Sequence, residues 1–177
     1  MSHVVFLRGV NVGGHRTFRP AELAAKLRHL DTANIGAAGT FVVRKRTSRV
    51  RLHAEFASRL PFETHILICQ GRDIARLLRN GCFAGIPARS DIVRFVSVLS
   101  RTTRSKPTLP MQLPARGPWM VKVLARDRQF VFGVYRRRMK AITCLSSLDR
   151  VFGATATTRN WNTIAAIART LEGTNRD

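Results

Sequence analysis

The sequence predicts an α+β protein of two ferredoxin-like halves. Each half is a split βαβ or alpha-beta plait, an antiparallel sheet with its helices packed on one face, and the second half is degenerate. Three observations predict this. Residues 1–70 read strand, helix, strand, strand, helix, strand. Residues 71–177 repeat that order loosely, with a proline-rich connector where the plait's first helix would stand. The composition, 45% hydrophobic over 177 residues, is ordinary for a chain that buries a core in one medium domain or two small ones.

His3–Leu7 is a run of β-branched and apolar residues and makes the first strand. A glycine-punctuated loop follows, Arg8-Gly9-Val10-Asn11-Val12-Gly13-Gly14. Pro20 suits the first position of a helix, and Leu23, Leu27 and Leu30 recur at helical spacing behind it. Ala33–Ala37 is a weak strand, Gly39 a tight turn and Phe41–Arg44 the next strand. Arg49–Leu60 reads as a helix with Val50, Ala54 and Ala57 inward and Pro61 as its stop. His65–Cys69 closes the first domain, residues 1–70. The second domain, residues 71–177, opens with a helix over Arg72–Asn80. A strand over Asp91–Ser100 follows, then a connector holding Pro107, Pro110, Pro114 and Pro118. Trp119–Ala125 and Gln129–Tyr135 pair as a hairpin across Arg126-Asp127-Arg128. Ser147–Gly153 is a short helix and Arg159–Leu171 a longer final one.

No apolar run approaches the ~18 residues of a membrane span. The start, Met1 to Leu7, lacks the basic front and cleavage site of a signal peptide. These point to a cytoplasmic protein with no membrane partner. Cys69, Cys82 and Cys144 are isolated, and Cys69 lies in an apolar run that marks it as a small core residue. The five histidines are scattered without a zinc pattern, so neither a metal nor a cofactor is expected. The charge is extreme: 31 Lys and Arg against 10 Asp and Glu give a formal +21. Such a chain attracts polyanions without any specific site, and nucleic acid stands first among them.

Three blocks carry a resemblance. The first runs from Val4 through Arg8-Gly9-Val10-Asn11-Val12-Gly13-Gly14 and on to Ala21-Glu22-Leu23. The second is Asn34 to Val43, and the third is Thr157-Thr158-Arg159-Asn160-Trp161-Asn162-Thr163. On these the chain resembles the bacterial family called domain of unknown function 1697. The second block departs from the family pattern. Family members usually carry Ser-Gly-Asn at its turn, where this chain has Ala38-Gly39-Thr40, so no role of that asparagine carries over. The resemblance implies two ferredoxin-like halves and no established activity.

Two constellations are candidates for an anion site. In the loop after the first strand, Gly13 and Gly14 permit positive φ, and successive amides beside Arg8 would cradle an anion. The competing reading is a glycine-shaped turn in which Asn11 bonds its own backbone. In the third block, Thr157 or Thr158 would cap the final helix, with Trp161, Ile164, Ala165, Ala168 and Leu171 as an apolar stripe and Trp161 as the structural anchor between the halves. Arg159, Asn160 and Asn162 are left over from that account. An arginine in a helix's first turn opposes the macrodipole, so it would there serve a phosphate, a carboxylate or a buried acid. The anion-binding set is thus Arg8, Asn11, Gly13, Gly14, Thr158, Arg159, Asn160 and Asn162.

The expected nucleic-acid surface is Arg44-Lys45-Arg46 with Arg49 and Arg51, then Arg101, Arg104 and Lys106, then Arg136-Arg137-Arg138 with Lys140. Stacking of bases would need aromatics on an exposed sheet face. Phe6 and Phe41 are the available residues, and the phenylalanines read as core. Catalysis finds no support in paired acids or a nucleophile elbow. Partners therefore fall into three classes: a nucleic acid or other polyanion, a small phosphorylated or carboxylated molecule held between the halves, or none, if the protein is structural. Whether it is an enzyme, and its oligomeric state, stay open at this point.

Overall fold

β1 (His3–Leu7) starts the chain's regular structure, and the computed structural model describes residues 1–87 and 89–173. Pro20 opens α1 (Pro20–Lys26), and a short 3-10 turn carries the same face onward. Leu23, Leu27 and Leu30 are all buried, as their spacing predicts. β2 (Thr32–Asn34) and β3 (Thr40–Val43) form the hairpin that follows. In α2 (Arg49–Ala57) the Ser48 hydroxyl caps the helix, accepting from the Arg51 amide at 3.1 Å. The inward face of α2 differs from the expected one. Leu52 and Phe56 are buried, whereas Val50 is 82% exposed and Ala54 and Ala57 face outward. Burying a leucine or phenylalanine is worth about 1.5–3 kcal/mol, well above what two alanines return, so the larger pair sets the rotation. Phe56 meets Phe41 edge to face at 5.2 Å. β4 (Ile66–Gln70) leads directly into α3 (Gly71–Arg79).

Beyond α3 come β5 (Ile92–Leu99), β6 (Met111–Leu113), β7 (Val121–Asp127) and β8 (Phe130–Arg136). Then follow α4 (Met139–Ser146), α5 (Leu148–Phe152), β9 (Ala156–Asn160) and α6 (Trp161–Glu172). The fold is α+β with two antiparallel sheets. One has four strands in the order β2-β3-β1-β4, the other five in the order β6-β7-β8-β5-β9. β6, α4 and β9 are absent from the sequence reading.

β9 is the substantive correction. Thr157, Thr158 and Arg159 do not open a helix. They lie in a strand paired with β5, from Leu99 opposite Ala156 to Phe95 opposite Asn160. β-branched threonines suit a pleated strand, and Ser97 and Thr158 share a cross-strand hydroxyl hydrogen bond of 2.6 Å. The helix begins only at Trp161, so no arginine sits in its first turn and the conflict with the helix dipole disappears.

The chain divides into two compact units, residues 1–80 with those from Asn162 on, and Gly81–Trp161. α3 thus goes with the first unit, and α6 returns to it from the far end of the sequence. Gly71, at the head of α3, makes room for that return: a Cβ there would lie 2.9 Å from Cδ2 of Leu171. The first unit's core is built around Val5, Leu7, Leu27, Phe41, Leu52 and Phe56. The second has its own, around Phe95, Leu99, Val121, Val123, Leu148 and Phe152.

Candidate anion-binding site

β1 and β4 pair with Leu7 opposite Ile66, so the loop after β1 and the segment before β4 leave the sheet at one end. The turn between β2 and β3 reaches the same place, because the Leu7 amide donates to Gly39 O at 2.8 Å. The Arg8 amide donates to His65 O at 3.1 Å, and the Thr64 hydroxyl to Arg8 O at 2.5 Å. Asn11 ties the loop down: its Nδ2 donates to Ala37 O at 2.8 Å, and its Oδ1 accepts from the Phe18 amide at 2.9 Å. Both ends of that amide are engaged, and Asn11 itself takes φ 54°, a left-handed conformation that asparagine tolerates better than most residues. Gly39 has φ +68°, and a Cβ on it would lie 2.7 Å from Cγ2 of Val10. The first two sequence blocks and the segment before β4 are therefore one assembled platform of three loops.

On this platform lies an open depression of about 520 Å³, lined by Arg8, Gly9, Arg16, Glu63, Thr64 and His65. Of the expected site residues only Arg8 lines it. Asn11 is half-buried in its tethering role, and Gly13 and Gly14 are exposed with φ 57° and 77° in the outer turn. Arg16, Glu63, Thr64 and His65 were not foreseen. No local signal marks Glu63, Thr64 and His65, because the pairing of β1 with β4 joins segments over fifty residues apart in sequence, and Arg16 shares Arg8's own loop with nothing in its neighbours to set it apart.

Arg159 lies on β9 in the second unit and is 7% exposed. Burial pushes its guanidinium pKa down to about 10. Its Nη1 donates to Thr157 Oγ1 and to Thr158 O, each at 2.9 Å. Thr158 is occupied with Ser97, and Asn160 is exposed at the strand's end. Trp161 is half-buried and meets Phe83 edge to face at 5.0 Å. Asn162 is exposed and belongs to the first unit.

The basic clusters differ in how far they are engaged. In the first unit Arg44 pairs with Asp31 at 3.1 Å, Lys45 donates to His29 O at 3.1 Å, and Arg51 lies 3.9 Å from Glu55. Arg49 donates to Ile68 O, while Arg46 is exposed. In the second unit Arg101 donates to Gly153 O at 3.1 Å, and Arg104 and Lys106 are exposed. Arg126 donates to Ser105 O at 2.7 Å and Thr103 O at 3.2 Å, fastening the connector to the β7–β8 hairpin. Arg136 stacks over the Trp119 ring at 4.4 Å, and Lys122 lies 4.7 Å from the same ring. Arg137, Arg138 and Lys140 are exposed.

The sheet offers no stacking platform through the expected aromatics: Phe6 and Phe41 are both 0% exposed. Burial pushes the Cys69 thiol well up, as befits an inert core residue. Among the described residues no three of His, Cys, Asp or Glu gather as a metal site would need, and no helix is long and apolar enough to cross a membrane.

A conserved bacterial protein, SP0830 from Streptococcus pneumoniae, has a similar solved structure, with a TM-score of 0.56 at 18% identity over 96% of this chain and 98% of that one. That likeness shows the fold, an α+β chain with two antiparallel sheets. No curated protein matches the sequence. The chain belongs to the family described as protein of unknown function (DUF1697), whose model matches residues 1–115. The matched range contains the whole loop platform and ends before β9.

Proposed function

We propose that the protein binds an anionic polymer, nucleic acid before others, through the exposed cations of its second unit. One observation carries this reading. Gly81–Trp161 holds fifteen Lys and Arg against three acids, Asp91, Asp127 and Asp149. Three carboxylates cannot neutralise that charge, and a polyphosphate backbone can. The exposed cations fall at both ends of the five-stranded sheet. Arg104 and Lys106 lie in the connector that Arg126 ties to the β7–β8 turn, while Arg137, Arg138 and Lys140 follow the end where Arg136 faces Ile92. From Ile92 to Val98 is about 20 Å of strand, a length over which a duplex presents roughly a dozen phosphates. With Phe6 and Phe41 buried, such binding rests on phosphate rather than on base stacking.

The same strand orders support a finer reading of the fold. β2-β3-β1-β4 and β7-β8-β5-β9 are each the order that two interleaved βαβ units give. Both units are then ferredoxin-like, the second with its first crossover helix replaced by the connector and β6.

Fluorescence anisotropy with labelled single- and double-stranded oligonucleotides across a salt series tests the binding. Each duplex phosphate neutralised contributes roughly −0.9 to the slope of log affinity against log salt. The wild type is expected to bind at about 0.15 M salt with a steep slope, and replacing Arg137, Arg138 and Lys140 together by Ala to make the slope shallower by about 1–3. A shallow slope that the triple variant leaves unchanged would sink the reading.

A further inference from the structure

The depression at the end of β1 and β4 plays no part in that polymer surface. We propose that it is a phosphomonoester site, in which Arg8 and Arg16 take the phosphate and Glu63 and His65 face the rest of the ligand. Two guanidinium-bearing side chains and a histidine line one concavity, with Glu63 the single carboxylate among the lining residues. Cations gathered in a shared concavity repel each other. A dianion between them reverses the sign, and the guanidinium fork matches phosphate oxygens in pairs.

Arg16 supplies an independent argument. Its backbone takes φ 48°, a conformation that glycine or asparagine adopts at far less cost than a bulky side chain. Residues held in this region, which Asn11, Asp31 and Arg128 also adopt, cluster at ligand clamps and active sites. Here the guanidinium folds back across the loop, so that a Cβ built on Gly9 would lie 3.8 Å from Arg16 Nη1. The platform beneath is fixed before any ligand arrives, by the Thr64–Arg8 and Arg8–His65 hydrogen bonds and the Asn11 tether. Pre-organisation of this sort lowers the cost of binding.

The size selects the ligand class. About 520 Å³ exceeds a bare phosphate and falls within the roughly 300–1,000 Å³ typical of small-molecule sites. Glu63 accepts a hydrogen bond from a hydroxyl or amine and repels a second anionic group. A phosphomonoester with a hydroxylated remainder fits, and a diphosphate fits less well. Two sources carry that chemistry: a free sugar phosphate or mononucleotide, or the terminal phosphate of a nucleic-acid strand.

Isothermal titration of the full chain at about 0.15 M salt with ribose 5-phosphate, ribose and inorganic phosphate tests the site. Paired oligonucleotides with 5′-phosphate and 5′-hydroxyl ends distinguish the sources. The phosphomonoester is expected to bind roughly tenfold or more tightly than ribose. Arg16→Gly deletes the guanidinium while easing the backbone, so it should lose that margin at an unchanged or higher Tm, whereas Arg138→Ala should leave it intact. A preference for the 5′-phosphate end with no binding of ribose 5-phosphate would assign the strand end as the source and still support the site. Absence of saturable binding by every phosphate-bearing probe overturns the proposal, and so does binding that Arg16→Gly does not weaken. The polymer reading stands or falls separately, on the Arg137, Arg138 and Lys140 variant.

Discussion

Gly39 sits where a side chain has no room. Its φ of +68° and the 2.7 Å from an added Cβ to Val10 leave the backbone and the neighbour both in the way. Gly39→Ala is therefore expected to cost about 2–3 kcal/mol, read as a lower urea midpoint with an unchanged m-value. A loss under about 0.5 kcal/mol would mean that the turn rearranges freely. This is the residue scale at which the sequence was most legible: a glycine at a turn announces its own requirement. Asn11 was legible in kind, since one reading had it bonding backbone, although its partners Ala37 and Phe18 lie in segments that no local rule connects. Arg16 was not legible. Nothing in Gly13-Gly14-His15-Arg16 says that this exposed cation turns back over its own loop, and only the backbone angle makes it conspicuous.

Among the elements, β9 and α6 are the instructive pair. They abut without a loop, Asn160 ending the strand and Trp161 opening the helix. Asn and Thr are poor helix formers, and although Thr157 or Thr158 suits a helix cap, the simpler meaning of two β-branched residues is a strand. The edge position of β9 also hid it, because a five-residue strand paired only to β5 has little pattern of its own. Trp161 now has a defined partner in Phe83 and is half-buried rather than enclosed. Trp161→Ala should accordingly cost about 1–3 kcal/mol, below the ~3–5 kcal/mol of a fully buried tryptophan. Chemical denaturation checks this, and a cost at the upper figure would show that the ring is a deeper anchor than its exposure indicates. α2 teaches the same lesson about competition. A helix face is chosen by the largest side chains able to share it, so Leu52 and Phe56 prevail over Val50 and two alanines.

At the scale of the molecule, charge is the dominant condition. With a formal +21 over 177 residues, the folded chain concentrates cations that the unfolded chain spreads out. Raising salt from about 0.05 to 0.5 M shortens the Debye length from roughly 14 to 4 Å and relieves that repulsion. The Tm is expected to rise over that range by several degrees, as scanning calorimetry with a non-binding salt would show. A fall would mean that attractive pairs such as Arg44–Asp31 outweigh the net repulsion. The two-sheet architecture was legible at this scale from element order alone. The partition was not, because the helix that returns to the first unit follows the second in sequence.

That return has a consequence for biosynthesis. The first unit is interrupted by the second, and its closing piece is α6. On a ribosome adding about 5–20 residues per second, β1 to α3 emerge early, carrying the core around Val5, Leu7, Phe41, Leu52 and Phe56, and α6 arrives last. Gly81–Trp161, continuous in the chain, is free to fold in the meantime. During synthesis the unit that begins the chain is thus the last to receive all of its residues, after Gly81–Trp161 has emerged whole.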